Sequence, residues 1–262
     1  KSSEFDCQAI EIRYYLIFNN TNFIMSISRA RLDRFISEQC QINRKKVRLL
    51  LAQNRVSVDG VIATDVAQPI DKFSIISLDN QIIQKNKPLY IMLHKPVGVV
   101  CATKDDKHQT VINLLSGLLS PDEKASLHIV GRLDLNTSGL VLLTNDSRWS
   151  EQLTSPKSKV PKHYLVTLQN PLSEEYIQTF SKGMYFAFEN ITTKPVVLKI
   201  ISPFQAEVIL TEGRYHQIKR MFGRFNNPVI ALHRISIGHY VLDESLKVGE
   251  SKSINYSHDT SR

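Results

Sequence analysis

The sequence predicts an α+β protein made of a small N-terminal block and a larger block around a mixed, mainly antiparallel β-sheet with flanking helices. Apolar residues recur at helical spacing in several segments of the 262-residue chain. Short apolar runs bounded by turn residues indicate strands between those segments. No internal repeat is present, so the elements must pack around ordinary hydrophobic cores. This length suffices for one large or two modest domains.

The first block runs from residue 29 to residue 79. Two short amphipathic helices are predicted from apolar residues at positions i, i+3 and i+4, namely Leu32, Phe35 and Ile36, then Val47, Leu50 and Leu51. Asn43 stands where it can cap the second helix. Residues 56–61 indicate a strand that enters an Asp-Gly hairpin turn, and residues 73–78 indicate a second strand.

The second block is predicted over residues 88–254, after a polar linker at residues 80–87. Strands are predicted at residues 89–93, 97–100, 140–143, 164–168, 196–201 and 206–210. A helix should follow Ser173, bury Ile177 and Phe180, and end at Gly183. A further helix is indicated by the spacing of Ile218, Met221, Phe222 and Phe225.

The two ends of the chain differ from these blocks. Residues 1–28 lack the features of a secretory signal, and Met25 directly precedes the first helix pattern, so we expect Met25 to be the natural start. Residues 255–262 are polar and are predicted to be mobile. No stretch approaches the length of a membrane span, and we expect a cytoplasmic protein whose cysteines, Cys7, Cys40 and Cys101, are reduced.

The charge balance favours a polyanionic partner. The formal net charge is +8, and residues 29–87 contain eleven Lys and Arg against six Asp and Glu. Nucleic acid is the commonest partner of such a surface, although a basic enzyme with a small substrate has the same composition.

Three segments contain residues that could perform chemistry. Arg132 and Asp134 open a turn-rich loop that leads into a buried strand, where a carboxylate is well placed for catalysis or merely caps a turn. Lys219 and Arg220, on the predicted helix after Arg214, could present a cation to such a carboxylate. Tyr164 begins a strand and could stack on a base, or could equally be a core tyrosine.

The sequence offers little support for other chemistries. The histidines are scattered, with no HxH or HExxH spacing, so a metal site is disfavoured. Neither a glycine-rich nucleotide-binding motif nor a nucleophile elbow is present, which disfavours nucleotide cofactors and serine hydrolases.

Residues 31–36, 44–51 and 55–60 resemble the S4 RNA-binding module. This resemblance implies contacts between structured RNA and the basic side chains of the block, namely Arg31, Arg34, Arg44, Lys45, Arg48 and Arg55.

Residues 131–134, 162–164 and 213–221 together resemble, in order and separation, the three signature motifs of the ribosomal RNA pseudouridine synthases. Residues 148–150, 154–156 and 193–195 are most similar to the small-subunit branch, whose usual target is uridine 516 of 16S rRNA. A 23S rRNA enzyme and a non-catalytic RNA-binding or assembly factor remain alternatives.

The resemblance implies that Asp134 is the essential carboxylate, either attacking the nucleoside or assisting loss of the uracil. Lys219 is the first candidate for its cationic partner and Arg220 the second, while Tyr164 would stack on the target ring. Arg132 could occupy the space of the extruded nucleotide or hold a phosphate, and Arg220 is a further candidate for RNA binding. Contacts from the S4 block, Arg214 and Arg224 could offset the cost of base flipping. No cofactor or metal is implied, and the expected partner of this monomer is 16S rRNA, free or in an assembling small subunit.

Overall fold

The computed structural model describes residues 30–115 and 117–256, and the chain forms two compact units, Lys1–Pro88 and Leu89–Arg262. Met25, Cys7 and the tail residues 257–262 lie outside the described residues. No helix in the described part is long and apolar enough to cross a membrane.

The two helices predicted in the N-terminal unit are confirmed as α1, Leu32–Gln39, and α2, Arg44–Ala52. The side chain of Asn43 accepts a hydrogen bond from the backbone N–H of Lys46, which confirms the predicted cap. The six apolar residues that predicted these helices are buried in one hydrophobic cluster.

Two small sheets complete the N-terminal unit. β1, Ala30–Arg31, pairs with β4, Pro69–Ile70, and a four-stranded sheet has the order β3-β2-β5-β6 within the described residues. Its strands are β2, Val56–Val58, β3, Val61–Ile62, β5, Ile76–Leu78, and β6, Gln81–Gln84. Asp59 and Gly60 connect β2 to β3 with φ of 53° and 82°, the left-handed pair that the Asp-Gly hairpin turn requires.

The prediction that residues 80–87 form a linker was wrong over Gln81–Gln84, which form β6 against β5. Ile82 and Ile83 lie side by side between two glutamines, so the segment shows no apolar alternation that would have indicated this edge strand. The strand predicted at residues 73–78 begins late because the carboxylate of Asp71 accepts hydrogen bonds from the N–H groups of Phe73 and Ser74 and holds them in a turn.

The second unit is built on a nine-stranded sheet, counted over the described residues, with the order β13-β14-β10-β15-β9-β7-β17 and with β16 and β8 paired to β15 and β9. The strands of this sheet are β7, Tyr90–Lys95, β8, His128–Val130, β9, Ser138–Thr144, β10, Lys162–Leu168, β13, Val197–Ser202, β14, Gln205–Leu210, β15, Val229–Ile237, β16, Tyr240–Val241, and β17, Ser251–Ser253. β9 and β15 are parallel and the other described pairs are antiparallel, which confirms the predicted mixed, mainly antiparallel sheet. A separate hairpin joins β11, Tyr185–Phe186, to β12, Ile191–Thr192.

Strand β9 lies in the middle of the core. Val141 and Leu143 belong to the hydrophobic cluster on one face of the sheet, and Leu140 and Leu142 belong to the cluster on the other face. Because both faces are covered, the strand reads as a continuous apolar run, as the sequence predicted.

In this unit one predicted strand is absent and one central strand was not predicted. Residues 97–100 form a turn, with Gly98 at φ 86° and its N–H bound to the carbonyl of Leu135; only Val100 makes an isolated bridge, to Thr110. Conversely, the central strand β15 was not predicted, because the fully buried Arg234 breaks its apolar pattern.

Four helices flank the described sheet of this unit: α3, Pro121–Ser126, α4, Ser147–Thr154, α5, Glu174–Lys182, and α6, Gln217–Gly223. The sequence analysis did not predict α3 or α4. Helix α5 ends at Gly183, as predicted, but buries Tyr176 with Phe180, whereas Ile177 is half-buried. Phe225, predicted to lie in the last helix, follows α6 and stacks on Tyr176, with ring centroids 4.1 Å apart.

The polar end of the chain begins in an ordered contact. The ring of Tyr256 stacks on that of Tyr90 at a centroid distance of 5.3 Å, which places the start of the polar tail against β7.

Candidate active site

The central feature of the site is the loop of residues 131–137, which connects β8 to β9. The loop begins at Gly131, with φ 73°, and residue 139 must again be glycine. A Cβ atom at Gly139 would lie 2.3 Å from the carbonyl oxygen of Arg234, so only glycine permits this close approach of β9 to β15.

Two buried cations hold the backbone of this loop. The ammonium of Lys95 donates hydrogen bonds to the carbonyls of Pro96, Asp134 and Thr137 at 2.9, 3.2 and 2.7 Å. The guanidinium of Arg234 donates to the carbonyls of Gly131, at 2.7 Å, and Leu140, at 2.8 Å.

Carbonyl dipoles thus compensate both buried charges. Burial lowers the pKa of Lys95, because the uncharged amine loses less hydration. The two cations fix the backbone of the loop from below, so the side chain of Asp134 projects from a rigid support.

Asp134 lies between two basic side chains. Its Oδ2 is 3.4 Å from Nζ of Lys219, and its Oδ1 is 3.3 Å from Nε2 of His216. A third of the Asp134 side chain is exposed, which leaves the carboxylate open to a ligand. The structure therefore brings together Asp134 and the first partner that the sequence analysis named.

The turn before α6 positions both basic residues. His216 occupies the N-cap position in the left-handed conformation, with φ 48° and ψ 31°. The buried carboxylate of Glu212 accepts hydrogen bonds from the side chains of Gln217 and Arg214, at 2.8 and 3.1 Å. This network stabilises an uncommon backbone conformation that directs the imidazole toward Asp134.

Tyr164 lies on β10, with 8% of its surface exposed. It lines the same cleft as Asp134, His216 and Lys219, which Arg132 and Arg214 border. The apolar part of the lining consists of Leu133, Leu210, Ile218 and Leu232. The cleft therefore combines an aromatic ring and aliphatic side chains, which can contact the face of a planar ring, with a carboxylate and cations.

Arg220 does not contact Asp134, so its assignment as the second candidate partner was wrong. Its guanidinium forms two hydrogen bonds with Glu189, at 2.5 and 2.6 Å, and lies 3.8 Å from the ring centroid of Phe186. Adjacent residues of a helix point in different directions, so Lys219 faces Asp134 while Arg220 is bound to the β11–β12 hairpin.

The sequence analysis did not predict a role for His216, Lys95 or Arg234. The sequence analysis identified the motif that contains His216. It could not predict that His216 adopts a left-handed conformation at the start of the helix and thereby contacts Asp134. Lys95 and Arg234 are far from the loop in sequence, and no pattern indicated that they would be buried beneath it.

The six basic residues that the sequence analysis named in the N-terminal unit fall into two groups. Three arginines are each paired with a carboxylate: Arg31 with Asp33, Arg34 with Glu38 and Arg55 with Asp79. The other three, Arg44, Lys45 and Arg48, are exposed on α2, whose apolar side chains form part of the core.

No group of three or more His, Cys, Asp and Glu side chains that could hold a metal ion occurs in the described ranges. Cys101 is buried beside the loop, where its Sγ accepts a hydrogen bond from the N–H of Leu133 at 3.3 Å. Burial raises the pKa of this thiol and favours its neutral form.

The fold and the site together place a partly exposed carboxylate in the loop before a central strand of a mixed sheet, in contact with a lysine and a histidine and in the same cleft as a tyrosine. A sequence model described as RNA pseudouridylate synthase matches residues 89–223. The chain belongs to this family and is an RNA pseudouridine synthase, an isomerase.

Sequence similarity to whole proteins extends over both units of the chain. The chain is 43% identical over 226 residues to the ribosomal small subunit pseudouridine synthase A of Pseudomonas aeruginosa, an alignment that covers 86% of this chain and 96% of that protein. Identity to the proteins of the same name from Salmonella typhimurium and Escherichia coli is 41% over 227 residues, with the same coverage. A crystal structure of a pseudouridylate synthase, 37% identical, superposes with a TM-score of 0.61 over 86% of this chain and 96% of that one.

Proposed function

We propose that the protein isomerises one uridine of 16S ribosomal RNA to pseudouridine and that this nucleotide is uridine 516. The observation that carries the proposal is the position of Asp134, which is partly exposed in a cleft and flanked by Lys219, His216 and Tyr164. The alignments to relatives named as small-subunit enzymes cover nearly the whole length of those proteins. This supports the choice of 16S rRNA as the substrate.

The target base must leave its stack before it meets Asp134. The carboxylate lines a cleft between the loop and α6, and it cannot reach C1′ or the ring atoms of a nucleotide that is stacked and paired inside an RNA helix. Flipping a base out of RNA costs a few kcal/mol, and contacts between phosphates and Arg132 and Arg214 offset part of this cost.

The reaction then proceeds within the cleft. The bond between N1 of uracil and C1′ of ribose breaks, the ring turns, and C5 bonds to the same C1′. The proton on C5 is lost, and N1 gains one. Asp134 acts either by attacking the nucleoside or by assisting departure of the uracil, and the Lys219 ammonium stabilises its negative charge through Coulomb attraction.

Tyr164, on β10 in the same cleft, serves the same step. Its ring stacks on the everted uracil, and its hydroxyl helps to carry the C5 proton away. Because strand β10 fixes the position of this side chain, its ring keeps the detached uracil in the cleft while the uracil rotates.

The N-terminal unit acts as an S4-like RNA-binding domain. Arg44, Lys45 and Arg48 on α2 contact phosphates. We assign a smaller share of the affinity to Arg31, Arg34 and Arg55, because each must first give up a carboxylate partner. Arg220 is bound to Glu189 in the same way, and we assign it a similarly small share of the RNA affinity.

The decisive experiment compares the wild type with the variant Asp134→Asn on 16S rRNA transcripts labelled with tritium at C5 of uridine. Asparagine keeps the shape of the side chain but removes its charge. We therefore expect tritium release to fall by at least about 10³-fold while RNA binding, measured by filter retention, is preserved.

The product must also be located in the sequence of the RNA. Mapping should place a single pseudouridine at residue 516 of the 16S transcript and none on a 23S transcript. Product on 23S rRNA alone would overturn the choice of substrate, and full activity of Asp134→Asn would overturn the role of the carboxylate.

A further inference from the structure

Tyr215 is an exposed aromatic residue directly next to the active-site carboxylate. Its side chain is 74% exposed, and its ring lies nearly parallel to that of His216, with centroids 3.9 Å apart and planes at 18°. His216 in turn contacts Asp134. One face of the tyrosine ring is therefore covered by the imidazole, and much of the remaining surface is exposed to solvent.

The turn that presents this ring is held by several contacts. The carbonyl of Tyr215 accepts a hydrogen bond from Arg220, and the carbonyl of Arg214 accepts one from the N–H of Gln217. The left-handed backbone of His216 at the start of α6 directs the imidazole toward Asp134, and the ring of Tyr215 stacks on that imidazole. The exposed ring is therefore presented by an ordered turn rather than by a loose loop.

We infer that the exposed face of Tyr215 binds, by stacking, a nucleobase next to the target uridine in the RNA chain. The inference rests on the proposed function, because it requires an everted uridine at Asp134. When the uridine leaves its stack, its neighbour loses a partner on one face. Tyr215 replaces that partner and so lowers the cost of eversion.

The charge around Tyr215 favours RNA as the ligand. Arg132 and Arg214 border the same cleft, and residues 214–242 contain no acidic residue. The nearby carboxylates of Glu212 and Glu189 are paired with Arg214 and Arg220. A nucleic-acid strand that enters the cleft meets cations along its phosphates and an aromatic face along its bases, the combination found in single-strand binding sites. Any of the four bases can stack on such a face, so this subsite requires an unpaired nucleotide rather than a particular sequence.

The test uses a 16S rRNA fragment that spans the mapped pseudouridine, with 2-aminopurine replacing in turn the nucleotide on each side of the target. Stacking quenches the fluorescence of this base. With the wild type we expect the bound fragment to stay quenched at one of the two positions. With Tyr215→Leu we expect at least twofold higher fluorescence there and a roughly tenfold lower kcat/KM for pseudouridine formation.

Two further variants make the result specific. Tyr215→Phe keeps the ring and should behave like the wild type. Phe204→Ala removes an exposed aromatic residue at the far end of β14, about 20 Å along the strand from Leu210, which lines the cleft. It should change neither readout, and thermal melts of all variants should coincide because both side chains are exposed.

The outcomes separate this inference from the function on which it rests. If the wild type forms pseudouridine but Tyr215→Leu matches it in fluorescence and kcat/KM, the stacking role is wrong and the proposed function stands. An equal effect of Phe204→Ala would also overturn the stacking role. If the wild type forms no pseudouridine in the transcript, both proposals fall.

Discussion

At the scale of single residues, the site separates two tasks between two pairs of basic side chains. Lys95 and Arg234 are buried and donate their hydrogen bonds to backbone carbonyls of the loop and of the residues beside it, Pro96 and Leu140. Lys219 and His216 are partly exposed and contact the carboxylate itself. Changing a member of the second pair should therefore alter the chemistry without removing the support of the loop.

Lys219→Gln provides the first test of this separation. The variant loses the positive charge 3.4 Å from Asp134, so we expect kcat to fall by about 10²-fold, with little change in the melting temperature. Lys219→Arg keeps the charge and should retain much of the activity. A Lys219→Gln enzyme as fast as the wild type in tritium release would contradict the proposed pairing.

The sequence predicted part of this arrangement for a physical reason. Asp134 and Lys219 lie in motifs with recognisable neighbours, and their proximity is confirmed. The contact of His216 with Asp134 depends on a left-handed backbone at residue 216, and a histidine in the sequence does not predict that conformation. The error over Arg220 arose because adjacent helical positions could not be distinguished without knowing that Glu189 and Phe186 lie beside one of them.

At the scale of the elements, the site depends on the parallel contact between β9 and β15. Arg234 lies opposite Gly139 in the register of these strands, and its guanidinium donates a hydrogen bond to the carbonyl of Gly131 in the loop. The sequence predicted β9 from its apolar run but missed β15, because a strand that buries an arginine loses the apolar pattern used for prediction.

Gly139→Ala should disrupt this contact. The residue has φ 107°, and the added Cβ would meet the backbone of Arg234 at 2.3 Å, so strain and overlap together should cost about 3 kcal/mol of unfolding free energy. The melting temperature should fall by roughly 6–12 °C. Gly223→Ala is the control, because its Cβ meets no atom within 4 Å. Equal melting temperatures for both variants would show that the close approach is not needed.

A pair of histidines on β15 and β7, the strands on either side of β9, predicts a dependence of stability on pH. The rings of His233 on β15 and His94 on β7 lie 5.5 Å apart, and burial together with His94 lowers the pKa of His233. The unfolded chain therefore binds a proton more readily than the fold does. The contribution of His233 to stability is complete above about pH 6.5 and is lost as the pH falls below that value, toward the lower pKa of the folded state.

The measurement compares the melting temperature at pH 7.5 and pH 5.5. The wild type should lose about 1–3 °C more than His233→Gln over this interval, whereas His239→Gln, at an exposed position, should follow the wild type. If His233→Gln shows the same fall as the wild type, the histidine does not contribute to the acid sensitivity.

At the scale of the whole molecule, the chain contains two units of different kinds. The unit Leu89–Arg262 contains the carboxylate site, and the unit Lys1–Pro88 contains a helix whose exposed residues are largely basic. We therefore expect the N-terminal unit to contribute to RNA affinity through phosphate contacts, which salt weakens in proportion to the number of counterions released.

Single substitutions on α2 should show this contribution directly. Arg44→Gln, Lys45→Gln and Arg48→Gln should each weaken binding to 16S rRNA and reduce the slope of log affinity against log salt by about 0.7–0.9, the value for one phosphate contact. The control is Arg34→Gln on α1, whose guanidinium is bound to Glu38 at 2.8 Å and releases fewer counterions on binding RNA. The measurement is a series of filter-binding titrations between about 50 and 200 mM salt. Identical slopes for the wild type and all three α2 variants would assign the electrostatic affinity to the catalytic unit instead.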